Sequence, residues 1–380
     1  MAVYKLFPYK DTTLYSFYPE MNTGIDPIVE ISNLNLAVDG NPQVSRYLME
    51  FVQSEIIDVV DNKISGAQWD VNLRSFIATA QGIVESTDLS VHPIAQYWWN
   101  GTGTYLDSPQ VKDGANWDSP NFSGSVAWSS SGTDNTNNYV TSSYDATYVA
   151  QGGGSWYYSA SDGSLYAVTQ SFDTRSEKDL KVGVKTMVEK WYSGSFSNNG
   201  FIVKWEDTVE FSTDTQIQPV MQFYSVDTNT IYPPQLEFRW KDYSSVLTGS
   251  ATSSIVSTTN LVSSLAENPG VFFPSSFNRF RFNVAPKYPV RTFQTASLFV
   301  GTNYLPTASY YAIKDLDTNE FVVDYDTTYT QLSSDSNGNY FDVYMNGLEP
   351  ERYYKILVKT NIGGSTLILD DNYYFKVING

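Results

Sequence analysis

Apolar residues in this chain return at every second position in short runs bounded by turn residues, and no other feature limits its folding so strongly. Leu236, Phe238 and Trp240 alternate with Glu237, Arg239 and Lys241, and Phe201/Val203/Trp205, Phe280/Phe282/Val284 and Phe341/Val343/Met345 repeat the pattern. A period of two sends successive side chains to opposite faces of a strand. Each run therefore predicts an antiparallel strand with a core face and a wet face. Aromatics reach 16% of the chain, as 29 Tyr, 21 Phe and 9 Trp, which is the usage of pleated sheets. Helical spacing is scarce. Val184, Val188 and Trp191 share one face of a predicted helix over 179–193, and one or two short helices are expected in all. The predicted fold class is all-β.

Composition narrows the chemistry further. There is no cysteine, which removes disulfides, thiolate nucleophiles and most structural zinc sites. His92 is the single histidine, so a Ser-His-Asp triad or a His-based metal site would depend on one imidazole. With 41 Asp and Glu against 23 Lys and Arg, the net charge of -18 repels phosphates, and no Lys/Arg run offsets it. Nucleic acid is not an expected partner. No run of eighteen apolar residues and no basic, then apolar, leader is present, so neither a membrane span nor a signal peptide is expected. No cofactor and no metal is expected, and the expectation is a non-enzyme.

The 380 residues suffice for two or three domains of ordinary size, and two sandwiches are assigned. Residues 1–243 are assigned to an N-terminal domain with a polar inserted excursion at about 120–158, rich in Ser, Thr, Asn and Gly. A Ser/Thr-rich linker over 244–265 leads to a C-terminal domain over 266–380. In the C-terminal part, Asp315-Leu316-Asp317-Thr318-Asn319 and Asp335-Ser336-Asn337-Gly338-Asn339 carry hairpin-turn chemistry. Leu348, Pro350 and Tyr354 have the spacing of a tyrosine corner, which points to an immunoglobulin-like or fibronectin-type-III-like sandwich.

Four ordered landmarks cover about two thirds of the chain. The first is Lys10 to Ser16 followed by Pro19, Asn22, Thr23 and Gly24. The second is Ser45 to Phe51, with Val52 where an Asp is usual. The third combines Val91-His92-Pro93-Ile94-Ala95, Trp98 or Trp99, Gly101-Thr102-Gly103-Thr104 and Gly114-Ala115-Asn116-Trp117. The last runs from Asp179-Leu180 to Trp191, then Ser193-Gly194, Asn198-Asn199-Gly200-Phe201 and Pro233 to Glu237. Together they resemble DNRLRE-type domains. The resemblance implies a jelly-roll-like β-sandwich of the carbohydrate-binding-module kind, found in extracellular and virion-associated proteins. Domains that open this way recur in structural proteins of contractile-tailed marine cyanobacterial phages, and Lys287 to Phe293 is similar to runs in such proteins. The localisation this implies is the virion, assembled in the host cytoplasm.

Several candidate sites have a bland explanation beside the functional one. Tyr97, Trp98, Trp99, Tyr105 and Trp117 could stack on sugar rings, but such tryptophans more often anchor a core, and the core is the reading adopted. Trp128, Trp156, Tyr157 and Tyr158 border the polar excursion and are the candidates for exposed contact with a partner or glycan. His92 is read as a satisfied or surface histidine. The Asp315 and Asp335 segments begin like calcium loops but lack the later glycine and glutamate, so turns are preferred. Gly152-Gly153-Gly154 is read as a flexible joint. The function expected is non-enzymatic association with other virion proteins and with further copies of the chain; the alternative is a surface glycan bound by a carbohydrate-binding module or fibre part.

Overall fold

The computed structural model describes residues 2–34, 43–65, 68–83, 87–122, 126–128, 136–139, 151–157, 166–210, 219–245, 261–288 and 302–379. The fold is all-β. In chain order the strands begin β1 (Ala2–Leu6), β2 (Lys10–Tyr15), β3 (Ile28–Leu34), β4 (Gln43–Glu50), β5 (Trp69–Ser75), β6 (Ile77–Gln81) and β7 (Thr87–Pro93). They continue as β8 (Thr136–Tyr139), β9 (Gln151–Tyr157), β10 (Val168–Phe172), β11 (Leu180–Gly183), β12 (Phe201–Trp205), β13 (Val220–Tyr224) and β14 (Gln235–Trp240). The later strands are β15 (Leu261–Ala266), β16 (Val271–Phe272), β17 (Phe277–Pro286), β18 (Ser309–Asp315) and β19 (Phe321–Val323). The chain closes with β20 (Ser333–Asp335), β21 (Gly338–Tyr344), β22 (Tyr353–Ile362), β23 (Ser365–Leu369) and β24 (Tyr374–Val377). Short helices α1 (Gln53–Asp58), α2 (Lys185–Tyr192) and α3 (Asp207–Glu210) interrupt the strands.

Two compact units form. One comprises Leu6–Val60 and Val71–Glu237; the other comprises Met1–Lys5, Asp61–Asp70 and Phe238–Gly380. The expected division put all of 1–243 in one domain. Two short early segments and residues 238–243 instead join the C-terminal residues, the early segments through contacts that no local pattern announces. Asn346 Nδ2 donates to the Lys5 carbonyl at 2.7 Å, and the Tyr4 ring meets Tyr344 edge-on at 5.4 Å.

In the N-terminal unit an eight-stranded sheet runs β10-β7-β12-β4-β3-β13-β6, with β2 also paired to β4. Its centre differs from the expectation of one wet face. Leu14 pairs with Arg46 and Ile202 with Leu48, which puts these residues and Lys204 on one face, while Met49 pairs with Phe201 and Tyr47 with Val203 on the other. All are buried. The second face packs against α2, whose Trp191 lies 4.5 Å from the Phe201 ring. The apolar spacing of Val184, Val188 and Trp191 does mark a buried helix face, but the helix begins at Lys185. Leu180–Gly183 is strand β11, paired with β5, because Leu180 and Val182 alternate inward before the helical period starts.

The C-terminal unit contains the sheets β15-β17-β21-β20 and β16-β24-β22-β18-β19, with β23 on β22. β15, β17 and β21 thus lie in one layer and β18, β19, β22, β23 and β24 in the other, a two-sheet sandwich closed by one core. The expected tyrosine corner is present: Tyr354, the second residue of β22, is buried and donates its hydroxyl to the Glu349 carbonyl at 3.0 Å. Phe280, Phe341, Tyr311 and Phe375 fill the space between the sheets. The expected linker over 244–265 is not wholly a linker. Leu261–Ala266 is β15, in register with Pro286 to Arg281 of β17, and the Ser244 carbonyl accepts from the Ser334 amide at 3.0 Å. Serine and threonine suit an edge strand as well as a loop, so composition alone misplaced the start of this sandwich.

Candidate functional site

One face of the N-terminal sheet carries Arg46 and Lys204. Here the chain itself covers it. Trp98, Trp117, Trp128 and Trp156 pack with Ile94 and Ala115 over Leu14, Leu48 and Ile202. Beneath them Arg46 clamps Glu210 of α3, with Nε to Oε1 at 2.7 Å and Nη2 to Oε2 at 3.1 Å, and donates Nη1 to the Gly153 carbonyl at 2.8 Å. Lys204 Nζ reaches Glu210 Oε2 at 3.0 Å. The guanidinium also lies 4.9 Å from the Trp117 ring and 5.0 Å from the Trp156 ring. A buried ion pair is tolerable only when its hydrogen bonds are made, and this one meets that condition.

Two of the expected contact residues are thereby corrected. Trp156 is 2% exposed and Trp128 4% exposed. Polar neighbours in sequence suggested solvent, but β9 crosses the sheet and carries Trp156 into the core, while Trp128 Nε1 donates to the Asn116 carbonyl at 2.9 Å. Tyr157 is half-buried, stacked on Phe196 at 4.1 Å. Tyr158 lies outside the described residues, as do residues 289–293 of the Lys287 to Phe293 run. The flexible joint at Gly152-Gly153-Gly154 is also corrected. All three have positive φ, and a Cβ on Gly152 would stand 2.2 Å from the Trp117 carbonyl oxygen. These glycines let β9 lie directly on Trp117 and Arg46.

Several of the sequence landmarks meet in one knot beside this face. Asn22 Nδ2 donates to the carbonyls of Asn100 and Ala115 at 2.7 and 2.9 Å, and Oδ1 accepts from the amides of Gly24 and Gly103 at 3.1 and 3.0 Å. The full capacity of the amide is used. The Asn-x-Gly, Gly-Thr-Gly and Gly-Ala-Asn-Trp segments are thus tied together by one buried side chain.

Aromatics that the core does not absorb remain outside. Along the segment after β7, Trp98 turns inward and donates Nε1 to the Asn199 carbonyl at 2.9 Å, while Tyr97 and Trp99 turn outward, 51% and 54% exposed. Their rings meet edge-on at 5.7 Å. Tyr9, also exposed, donates its hydroxyl to Glu50 Oε1 at 2.6 Å; burial and this bond push its pKa up. Between them Lys10 Nζ pairs with Glu50 Oε2 at 2.9 Å, donates to the Trp98 carbonyl at 2.6 Å and sits 4.4 Å from the Tyr97 ring. Burial lowers the Lys10 pKa and Glu50 opposes the change. A second exposed group, Tyr18, Tyr105 and Leu106, surrounds the loop in which the Tyr105 amide donates to Asp26 Oδ2 at 2.8 Å. Such surfaces offer flat apolar faces with nearby hydrogen-bonding groups, which suits contact with a protein or a sugar ring. The exposure of Trp99 beside the buried Trp98 was not anticipated; the alternation of an extended segment is the signal that could have separated them.

The remaining motifs are occupied locally. His92 is buried with its Nε2 3.2 Å from Ser90 Oγ. Asp315 caps the amides of Asp317 and Thr318 and holds Arg352 through both oxygens at 2.6 and 2.8 Å. The guanidinium keeps the Asp315 carboxyl below its usual pKa against the opposing effect of burial. Arg281 takes Asp335 in the same way at 2.9 Å. Among the described residues no group of three or more His, Asp or Glu converges as a metal site, and no helix is long and apolar enough to cross a membrane.

Fold and surface together define an all-β protein of two units, one with a self-sealed sheet face, that presents aromatic groups to its surroundings. No family model matches the chain, and no curated protein does. Among solved structures it is similar to a DUF4785 family protein from Legionella pneumophila subsp. pneumophila str. Philadelphia 1, at 9% identity and a TM-score of 0.17. That alignment covers 99% of this chain and 62% of the other, so the chain spans less than two thirds of that protein's length.

Proposed function

We propose that this protein is a non-enzymatic structural component of a tailed-phage particle and works by association with other particle proteins and with copies of itself. The phage setting comes from the sequence resemblance described above. The observation that supports association is the sealed sheet face. Trp117, Trp128 and Trp156 close over the Arg46–Glu210–Lys204 cluster, so this face is committed to stability, while Tyr97, Trp99, Tyr105 and Leu106 stay at the surface. Large, stiff aromatic side chains give contact area at low entropic cost. The test is quantitative mass spectrometry of purified particles of the encoding phage, with recombinant protein on a glycan array. A fixed copy number in the particle and a blank array are expected.

A second reading, glycan contact, is favoured by one observation: the exposed Tyr97–Trp99 pair beside Lys10 and Glu50. Absence from particles, together with array binding lost in Trp99→Ala, would replace the structural reading with this one.

A further inference from the structure

We propose that the outward face of the β22-containing sheet in the C-terminal unit docks on the acidic surface of a second copy of this chain. The proposal rests on the association reading and names the surface that reading leaves open.

In the register of β18 with β22, Tyr310 stands opposite Lys359, Ala312 opposite Leu357 and Lys314 opposite Lys355; in that of β24 with β22, Tyr374 meets Lys355 and Lys376 meets Tyr353. The intervening positions, Tyr311, Ile313, Tyr354, Ile356 and Val358, point into the core, and of the outward positions Ala312 and Leu357 are also buried. Every charged residue at an outward position of these strands is therefore a lysine. Of the acids near the face, Asp370 takes Lys355, Glu351 takes Lys376 and Asp324 adjoins Tyr325. Lys314 and Lys359 rest instead on aromatic rings, Phe321 at 5.2 Å and Tyr325 at 4.4 Å. Tyr353, Tyr374, Phe321 and Ile368 are exposed around them.

This arrangement costs the monomer something. Like charges directly opposite on neighbouring strands are destabilising, and Lys314 faces Lys355. A chain with 41 acids and 23 bases that gathers lysines and aromatics on one sheet face has built a surface complementary to most of its own exterior. The best matched exterior is the loop end of the N-terminal unit. There Glu20 and Asp118 are exposed beside Tyr18, Tyr105 and Leu106, and Lys112 is paired with Glu20. Joining two different patches makes a heterologous contact, which generates rings or open helical arrays according to whether the rotation closes.

The test uses the full chain in sedimentation velocity over a concentration series at about 0.15 M and about 1 M salt. Concentration-dependent assembly that weakens at the higher salt is expected. Lys314→Glu/Lys359→Glu should weaken it at least tenfold while raising the melting temperature of the monomer, since the Lys314–Lys355 opposition is removed. Glu20→Lys/Asp118→Lys should weaken it equally, and mixing the two reversed variants should restore a complex. Assembly indifferent to both variants overturns this face and leaves self-association standing. A chain that stays monomeric yet binds dextran sulfate through these lysines overturns the proposal in favour of a polyanionic polysaccharide. A chain that stays monomeric and binds neither also overturns it, while particle mass spectrometry separately decides the association reading.

Discussion

At the scale of single residues, the clearest consequence of the fold concerns Asp11. It stands on β2, every residue of which is buried, and its Oδ2 accepts the Val226 amide at 2.7 Å. Burial, aided by the nearby Asp227 and Asp26 carboxylates, outweighs that hydrogen bond and pushes its pKa up to about 8. An unfolded aspartate titrates near about 3.9. Between these two values the folded chain holds a proton that the unfolded chain has released, so stability is fully present below about pH 4 and declines as pH rises toward about 8. Asp11→Asn places a neutral isostere that still accepts the Val226 amide. Urea midpoints between pH 5 and pH 8.5 should fall in the wild type and stay flatter in the variant, with a gain on the order of a few kcal/mol at the alkaline end. Glu30, also raised mainly by burial, leaves a residual slope in both proteins. Equal slopes would show that Asp11 ionises freely in the native state.

Secondary-structure elements show where sequence reasoning succeeds and where it stops. Period-two alternation identifies strands well, because Phe280, Phe282 and Val284, or Tyr354, Ile356 and Val358, must share a face whatever lies opposite them. It cannot say whether a second layer covers the other face, which is why Lys204 looked wet and is buried against Glu210 and the tryptophan layer. The tyrosine corner was legible because its hydrogen bond spans only Glu349 to Tyr354. The sealed face was not, since Arg46 and Glu210 are separated by 164 positions and β9 is drawn over them by contacts with Trp117. The decisive signal was the glycine triplet, and its meaning depends on what lies above and below it. With φ of +74° and a would-be Cβ 2.7 Å from both Arg46 Nη1 and the Trp117 ring, Gly153 has no room for a side chain. Gly153→Ala should displace β9, lower stability by about 3 kcal/mol or more, and shift tryptophan emission to the red as Trp117 and Trp156 gain water. Unchanged emission and an unchanged melting temperature would mean that β9 is not the closing element.

For the whole molecule, the net charge of -18 sets the conditions under which local complementarity can act. Two approaching copies first feel the repulsion of their total charge, which extends over about 30 Å at 0.01 M salt and about 8 Å at 0.15 M. The contacts of Lys314, Lys359 and their aromatic neighbours act only at close range, and they weaken when the screening length falls to about 3 Å at 1 M salt. Association should therefore be strongest at intermediate ionic strength, weaker on both sides of it, and stronger again at any fixed low salt as pH approaches the pI of about 4.3. Light scattering across a salt series at neutral pH reads this directly. A monotonic rise with salt would instead mark an apolar contact, through Tyr353, Phe321 or the Tyr97–Trp99 pair, because burial of apolar surface is strengthened by salting-out and has no long-range charge to overcome.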